Sequence, residues 1–139
     1  MQYFAGVKGR DEIRAEIDVT DGIITTAKLT AIGCLPFLKM VDEYRALIKG
    51  EIKNLSAPKT LEHSGLILKE LVLKLRGEWD FPYKEAELCH CRAVSCDRVD
   101  AAIIFGAKTA EDVAKNTLPG TGCGTCRINT ENIIKYRWG

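Results

Sequence analysis

"EIRAEIDVTDGIITTAKLTAIGCLPF", residues 12 to 37, reads as strand, turn, strand and helix start in one unbroken run. Ile13, Ala15, Ile17 and Val19 alternate with Arg14, Glu16 and Asp18, the period of two that turns one strand face to a core and the other to water. Asp21-Gly22 suits a tight hairpin turn, whose two central positions both need positive φ. The second strand, "IITTAKLTAI", is rich in β-branched residues, which pack well on a pleated surface. Pro36 then fits a first helical turn, and Phe37, Met40, Val41, Tyr44 and Leu47–Ile48 form a helical stripe that Gly50 can close.

Beyond this run, "EIKNLSAPK" reads as a connector. A longer helix is expected from about Thr60 to Arg76, with Leu61, Leu68, Leu71, Val72 and Leu75 at helical spacing, apolar enough to be largely buried. "GEWDFPY" ends it and marks a domain boundary, giving an α+β domain over residues 1–80 and a second domain over 81–139. The second domain reads as short helices joined by loops: "SCDRVDAAIIFGA" with Gly106 as a stop, "KTAEDVAKNT" with Thr109 and Asp112 as a weak capping box, and "CRINTENIIKYRW". Helices this short are marginal alone, so such a domain needs a staple.

Composition narrows the function classes. The chain has 139 residues, with 20 basic against 19 acidic side chains, so no charge excess favours nucleic acid or an anionic membrane. The opening "MQYFAGVKGRDEIR" lacks the apolar run of a signal peptide, and no window reaches a membrane span. A cytoplasmic protein is the expectation. No Ser/His/Asp pattern, phosphate loop or carboxylate pair points to an enzyme.

Six cysteines are many for this length, and five of them lie at or beyond position 89. Cys89-x-Cys91 and Cys123-x-x-Cys126 demand different backbones. Cysteines at i and i+2 share a side only in extended chain, so Cys89–His90–Cys91 is expected to be a loop. Cysteines at i and i+3 share a face of a helical turn, which suits Cys123 and Cys126 opening the last helix. Four thiolates so placed fit a metal, and a disulfide reading would need an oxidising compartment. Zinc sites favour Cys-x₂₋₄-Cys pairs, which Cys-x-Cys matches poorly. A [2Fe–2S] rhomb takes four thiolates and is anionic, so it wants backbone N–H donors close by. Glycines 120, 122 and 124 allow that approach, and Arg92 and Arg127 each follow a cysteine. Cys96 reads as a small buried residue and His90 as a solvated spacer.

"CHCRAVSCDRVDAAIIFGAKTAEDVAKNTLPGTGCGTCRINTENIIKY" resembles the [2Fe–2S] domain of bacterioferritin-associated ferredoxin, found also in the middle of NifU-type proteins. The resemblance implies a small all-helical domain and a [2Fe–2S] cofactor whose iron is bound by Cys89, Cys91, Cys123 and Cys126. The front, "DGIITTAKLTAIGC" and the helix after it, is similar to the NifU/IscU-type scaffold domain. There a strand delivers a scaffold cysteine to a helix N-terminus, which makes Cys34 a candidate reactive thiol. His63 reads as a first-turn helix residue, with a ligand role beside Cys34 as the alternative. The front departs from that pattern in three ways: "GCLPF" has no carboxylate, no second cysteine precedes Cys89, and Ser64 in "EHSG" stands where "HC" is expected.

Together these resemblances imply an NifU-like protein of iron–sulfur cluster assembly or carriage. The alternative is a small electron-transfer module whose front domain only recognises a partner. Expected partners are proteins, namely a cysteine desulfurase, apo iron–sulfur clients or a reductase, with a second copy of the chain forming a homodimer.

Overall fold

The computed structural model describes residues 1–7, 9–58, 62–82, 87–89, 94–109 and 124–138, with side chains omitted at 87–89, 94, 95, 97 and 124–129. The chain divides into two compact units, Met1–Trp79 and Asp80–Gly139.

The first unit is an antiparallel sheet in the order β1 (Gln2–Gly6), β2 (Glu12–Thr20), β3 (Ile23–Ile32) and β4 (Gly50–Glu51). The hairpin forms where the sequence places it: Thr20 pairs with Ile23, and Asp21 and Gly22 between them have φ of 53° and 77°. Positive φ at both positions matches the right-handed twist of the strands. β1 was not legible as a strand, and β4 is two residues on the far edge of β3.

Alternation decides the layers. Ala5, Ile13, Ala15, Ile17 and Leu29 are buried, while Arg14 and Glu16 are exposed; Val19, expected on the buried face, is 41% exposed, beyond the register shift at Asp18/Val19. Two helices cover the buried side: α1 (Leu35–Leu47) beside β3, and α2 (His63–Leu75) against β1 and β2. α2 buries Leu66, Ile67, Leu68, Leu71, Val72 and Leu75, each side chain contributing roughly 1.5–3 kcal/mol when fully removed from water. α1 buries Phe37 and Val41 as its stripe requires, but Leu47 remains 58% exposed. Polar ties fix the two layers. Arg45 Nη1 donates to the Leu29 carbonyl at 2.6 Å, and Lys74 Nζ donates to the Phe4 carbonyl and to Glu70 Oε2, both at 2.7 Å. The lysine thereby gives the buried Glu70 carboxylate its opposite charge.

The second unit holds α3 (Cys96–Ile104), α4 (Gly124–Trp138) and a two-stranded antiparallel ribbon of β5 (Glu87–Cys89) and β6 (Val94–Ser95). The ribbon corrects the expectation of an all-helical unit. Cys89, expected in a loop with His90 and Cys91, is the last residue of β5, where it pairs with Val94; His90 and Cys91 lie outside the described residues. The expected helix over 108–117 lies outside the described residues, apart from Lys108 and Thr109, which are not helical. Cys96, Val99, Ile103, Ala107 and Ile133 make the core, with Phe81, Ala102, Ile134 and Trp138 packed around it. Arg137 on α4 grips Asp100 on α3 through two hydrogen bonds, Nε to Oδ1 at 2.8 Å and Nη2 to Oδ2 at 2.6 Å.

Candidate functional site

Two places gather chemistry-bearing residues, one in each unit.

In the first unit, three side chains meet at the start of the two helices. Cys34 is the N-cap of α1, just after Gly33 at the end of β3. Its Sγ makes no capping bond to the helix and is 3.1 Å from His63 Nε2 and 3.2 Å from Asp11 Oδ2. His63 is the first residue of α2, and its Nε2 is 2.7 Å from Asp11 Oδ2. Asp11 leads into β2 after the turn that follows β1, where Val7 N–H donates to the Asp11 carbonyl at 2.8 Å. The other carboxylate oxygen, Oδ1, accepts the Cys34 backbone N–H at 3.1 Å. Asp11 is 6% exposed, whereas Cys34 and His63 are half-buried and reachable from solvent.

Glycines let the carboxylate in. A Cβ on Gly33 would stand 2.7 Å from Asp11 Oδ1 and 2.7 Å from the Phe37 ring. A Cβ on Gly6, whose φ is 109°, would collide with the Asp11 carbonyl. Close backbone approach is the use these two positions make of glycine.

The sequence reading named Cys34 and weighed His63, but it missed Asp11. It searched for a carboxylate close after the cysteine, and the fold supplies one from 23 positions before it. The usable signal was "GRDE", in which Asp11 has the inward parity of Ile13, Ala15 and Ile17, and it is buried. Ser64, which replaces the expected second cysteine, is buried, and its hydroxyl has no hydrogen-bond partner among the described residues. Ile32 and Leu35, on either side of Gly33-Cys34, are exposed apolar residues at 59% and 65%.

In the second unit, Cys89 closes β5, and Cys126 is the third residue of α4. Cys123 immediately precedes that helix; Cys91, His90 and Cys123 lie outside the described residues. β5 packs against α4, so the backbone brings the strand that ends at Cys89 to the helix that holds Cys126. A strand that ends at Cys89, packed against the helix that holds Cys126, is compatible with a thiolate-bound iron–sulfur group. Bound there, such a group supplies one-electron redox chemistry; α4 supplies peptide N–H groups at its N-terminus, which favour an anion. Cys96, at the start of α3, is buried in the core as expected of a packing residue.

Among the described residues, no helix is long and apolar enough to cross a membrane. No curated protein and no solved structure matches the chain. Residues 88–136 match the family model described as a BFD-like [2Fe-2S] binding domain. That segment holds all four cysteines of the two pairs. The segment from 88 to 136 is accordingly a [2Fe–2S]-binding domain, and the protein that carries it binds a [2Fe–2S] cluster.

Proposed function

We propose that the chain serves iron–sulfur cluster assembly or carriage, holding its [2Fe–2S] cluster on Cys89, Cys91, Cys123 and Cys126. The observation that carries this reading is the Cys34–His63–Asp11 group in the other unit. A recognition domain alone has no need of a thiol converged with an imidazole and a buried carboxylate. Cys34 at a strand-to-helix junction also supports an NifU/IscU-like character for the first unit. In this reading the protein is a carrier and not an enzyme, works in the cytoplasm, and meets a cysteine desulfurase, apo clients or a reductase. The exposed Ile32 and Leu35 offer an apolar contact beside Cys34. It forms a homodimer, and it has no nucleic-acid partner because its charges nearly cancel.

A second reading has its own support. Cys34 is the only cysteine before position 89, so the first unit lacks the thiolates to hold a cluster by itself. The protein is then an electron-transfer module. Incubation of the holoprotein with an apo-ferredoxin separates the two: appearance of cluster on the acceptor supports carriage. Repeated reduction and reoxidation with the cluster retained, and no transfer, supports electron transfer.

A further inference from the structure

We infer that the outer edge of β3 is the surface through which two copies of this chain pair, with Leu29 meeting its own counterpart across a two-fold axis. The inference rests on the homodimer of the reading above for its second copy, and it holds or fails apart from what becomes of the cluster.

The direction of the peptide groups comes first. Met1 and Ile17 exchange two hydrogen bonds, the Met1 amine to the Ile17 carbonyl at 3.1 Å and the Ile17 N–H to the Met1 carbonyl at 2.9 Å. Backbone groups alternate sides along a strand, so those of Ile13, Ala15 and Ile17 address β1, and those of Glu12, Arg14 and Glu16 address β3. Opposite the latter three on β3 stand Ile32, Thr30 and Lys28. The peptide groups of Ala27, Leu29 and Ala31 therefore point away from β2, to the outer edge of the sheet. Arg45 agrees with this: its Nη1 bonds the Leu29 carbonyl, a group that the β2–β3 ladder does not use.

That edge is occupied only at its start. β4 pairs with Ile23 and Ile24, and Thr25 is skipped where the β2–β3 register shifts. From Thr26 to Ile32 the strand is regular, and its edge has no backbone partner among the described residues. The opposite edge of the sheet is guarded, since α2 packs on β1 and Lys74 takes the Phe4 carbonyl. A bare row of N–H and C=O groups is a template for another strand.

The occupant that matches this edge is the edge itself. Thr26–Ile32 is centred on Leu29, so an antiparallel copy in register over the whole stretch sets Leu29 against Leu29, Ala27 against Ala31 and Thr26 against Ile32. The residues with edge-facing groups then lie opposite one another, and each such pair exchanges both of its hydrogen bonds. A contact of this kind is isologous and closes at two copies. Lys28 falls opposite Thr30, not another cation, and Glu16 stands across from it within its own sheet. Ala27 and Ala31 are small, so no large side chain holds the strands apart there. Arg45 shares the Leu29 carbonyl through its second lone pair or swings clear, keeping Asp42 at 3.0 Å.

The test uses the full chain, purified without oxygen and carrying its cluster. Sedimentation gives the oligomeric state over a concentration series. Hydrogen exchange, read at single amides by mass spectrometry, follows Ala27, Leu29 and Ala31 in the same samples. A dimer is expected, with exchange at these three amides slowed about tenfold or more from dilute to concentrated protein. Ala31→Pro and Ala27→Pro each delete an edge N–H that β2 does not use, a place where a strand tolerates proline. Each is expected to weaken the dimer by at least about tenfold, since two hydrogen bonds are lost per dimer. Circular dichroism and cluster absorbance should stay as in the wild type. If one proline variant does not fold, the other decides, and the wild-type series stands without either. A chain that is monomeric throughout overturns the inference. So does a dimer whose three amides exchange freely, or one that survives both prolines undiminished, because the copies then meet elsewhere. Protection that arises only when another protein is added to a monomeric chain overturns it too, by giving the edge a different occupant. Failure here leaves the apo-ferredoxin result untouched.

Discussion

His63 Nε2 stands 2.7 Å from Asp11 Oδ2, although the two residues belong to elements at opposite ends of the first unit's chain. α2 packs on β1 and β2, and its first residue lies within hydrogen-bonding distance of the residue that leads into β2. Cys34 completes the triangle from the junction of β3 and α1. The site therefore reports on the whole two-layer packing of this unit, and disturbance of either layer reaches it.

Gly33→Ala is expected to break the site without touching its three side chains. The new Cβ falls 2.7 Å from Asp11 Oδ1 and 2.7 Å from the Phe37 ring, so the carboxylate or the ring must move. Overpacking of this kind costs about 1–3 kcal/mol. Urea denaturation measures that loss.

Serine at 89, 91, 123 or 126 is expected to abolish or strongly deplete the visible absorbance of the cluster, since each removes one of four thiolates. Cys34→Ser and Cys96→Ala should retain it. Absorbance and acid-labile sulfide of anaerobically purified variants check the set. A colourless Cys34→Ser protein would remove the assignment of the cluster to the second unit alone.

The Arg137–Asp100 pair ties α4 to α3 with an arginine side chain only 3% exposed. Asp100→Ala removes two charge-assisted hydrogen bonds from that buried guanidinium and is expected to cost about 3–5 kcal/mol. The double variant Arg137→Met/Asp100→Leu should recover most of it, because an apolar pair of similar volume needs no compensation. Chemical denaturation of the single and double variants measures the difference.

Tyr44 donates its hydroxyl to the Ser56 carbonyl at 3.3 Å. Burial, and then the neighbouring Glu43 charge, raise its pKa above the ordinary 10.0. Its protonated form is thus favoured more in the folded chain than in the unfolded one. That contribution is fully present below pH 10.0 and fades as pH rises through the higher folded value. Phenolate absorbance of wild type against Tyr44→Phe should place Tyr44 ionisation on the alkaline side, and the variant should lose less stability than wild type over that range.

Local signals in the sequence carried much of the first unit. Alternation over Ile13, Ala15 and Ile17 and the Asp21-Gly22 turn specify the β2–β3 hairpin, because both act within a few residues of chain. Pro36 and the apolar stripe specify α1 on the same grounds. The expected start of α2 near Thr60 lies outside the described residues, and the described helix begins at His63. The edge strand β1 escaped notice because "QYFAG" is short and lacks clean alternation. Its place is fixed by pairing with β2 and by α2 above it.

What the sequence by itself determined was the cofactor: the cysteine spacing and "TGCGTC" carry the [2Fe–2S] motif, since ligand type and local backbone are written in contiguous residues. Tertiary structure alone decided that Asp11 joins Cys34 and His63. No spacing rule links positions 11, 34 and 63; only the burial of α1 and α2 against one face of the sheet brings their side chains to hydrogen-bonding distance.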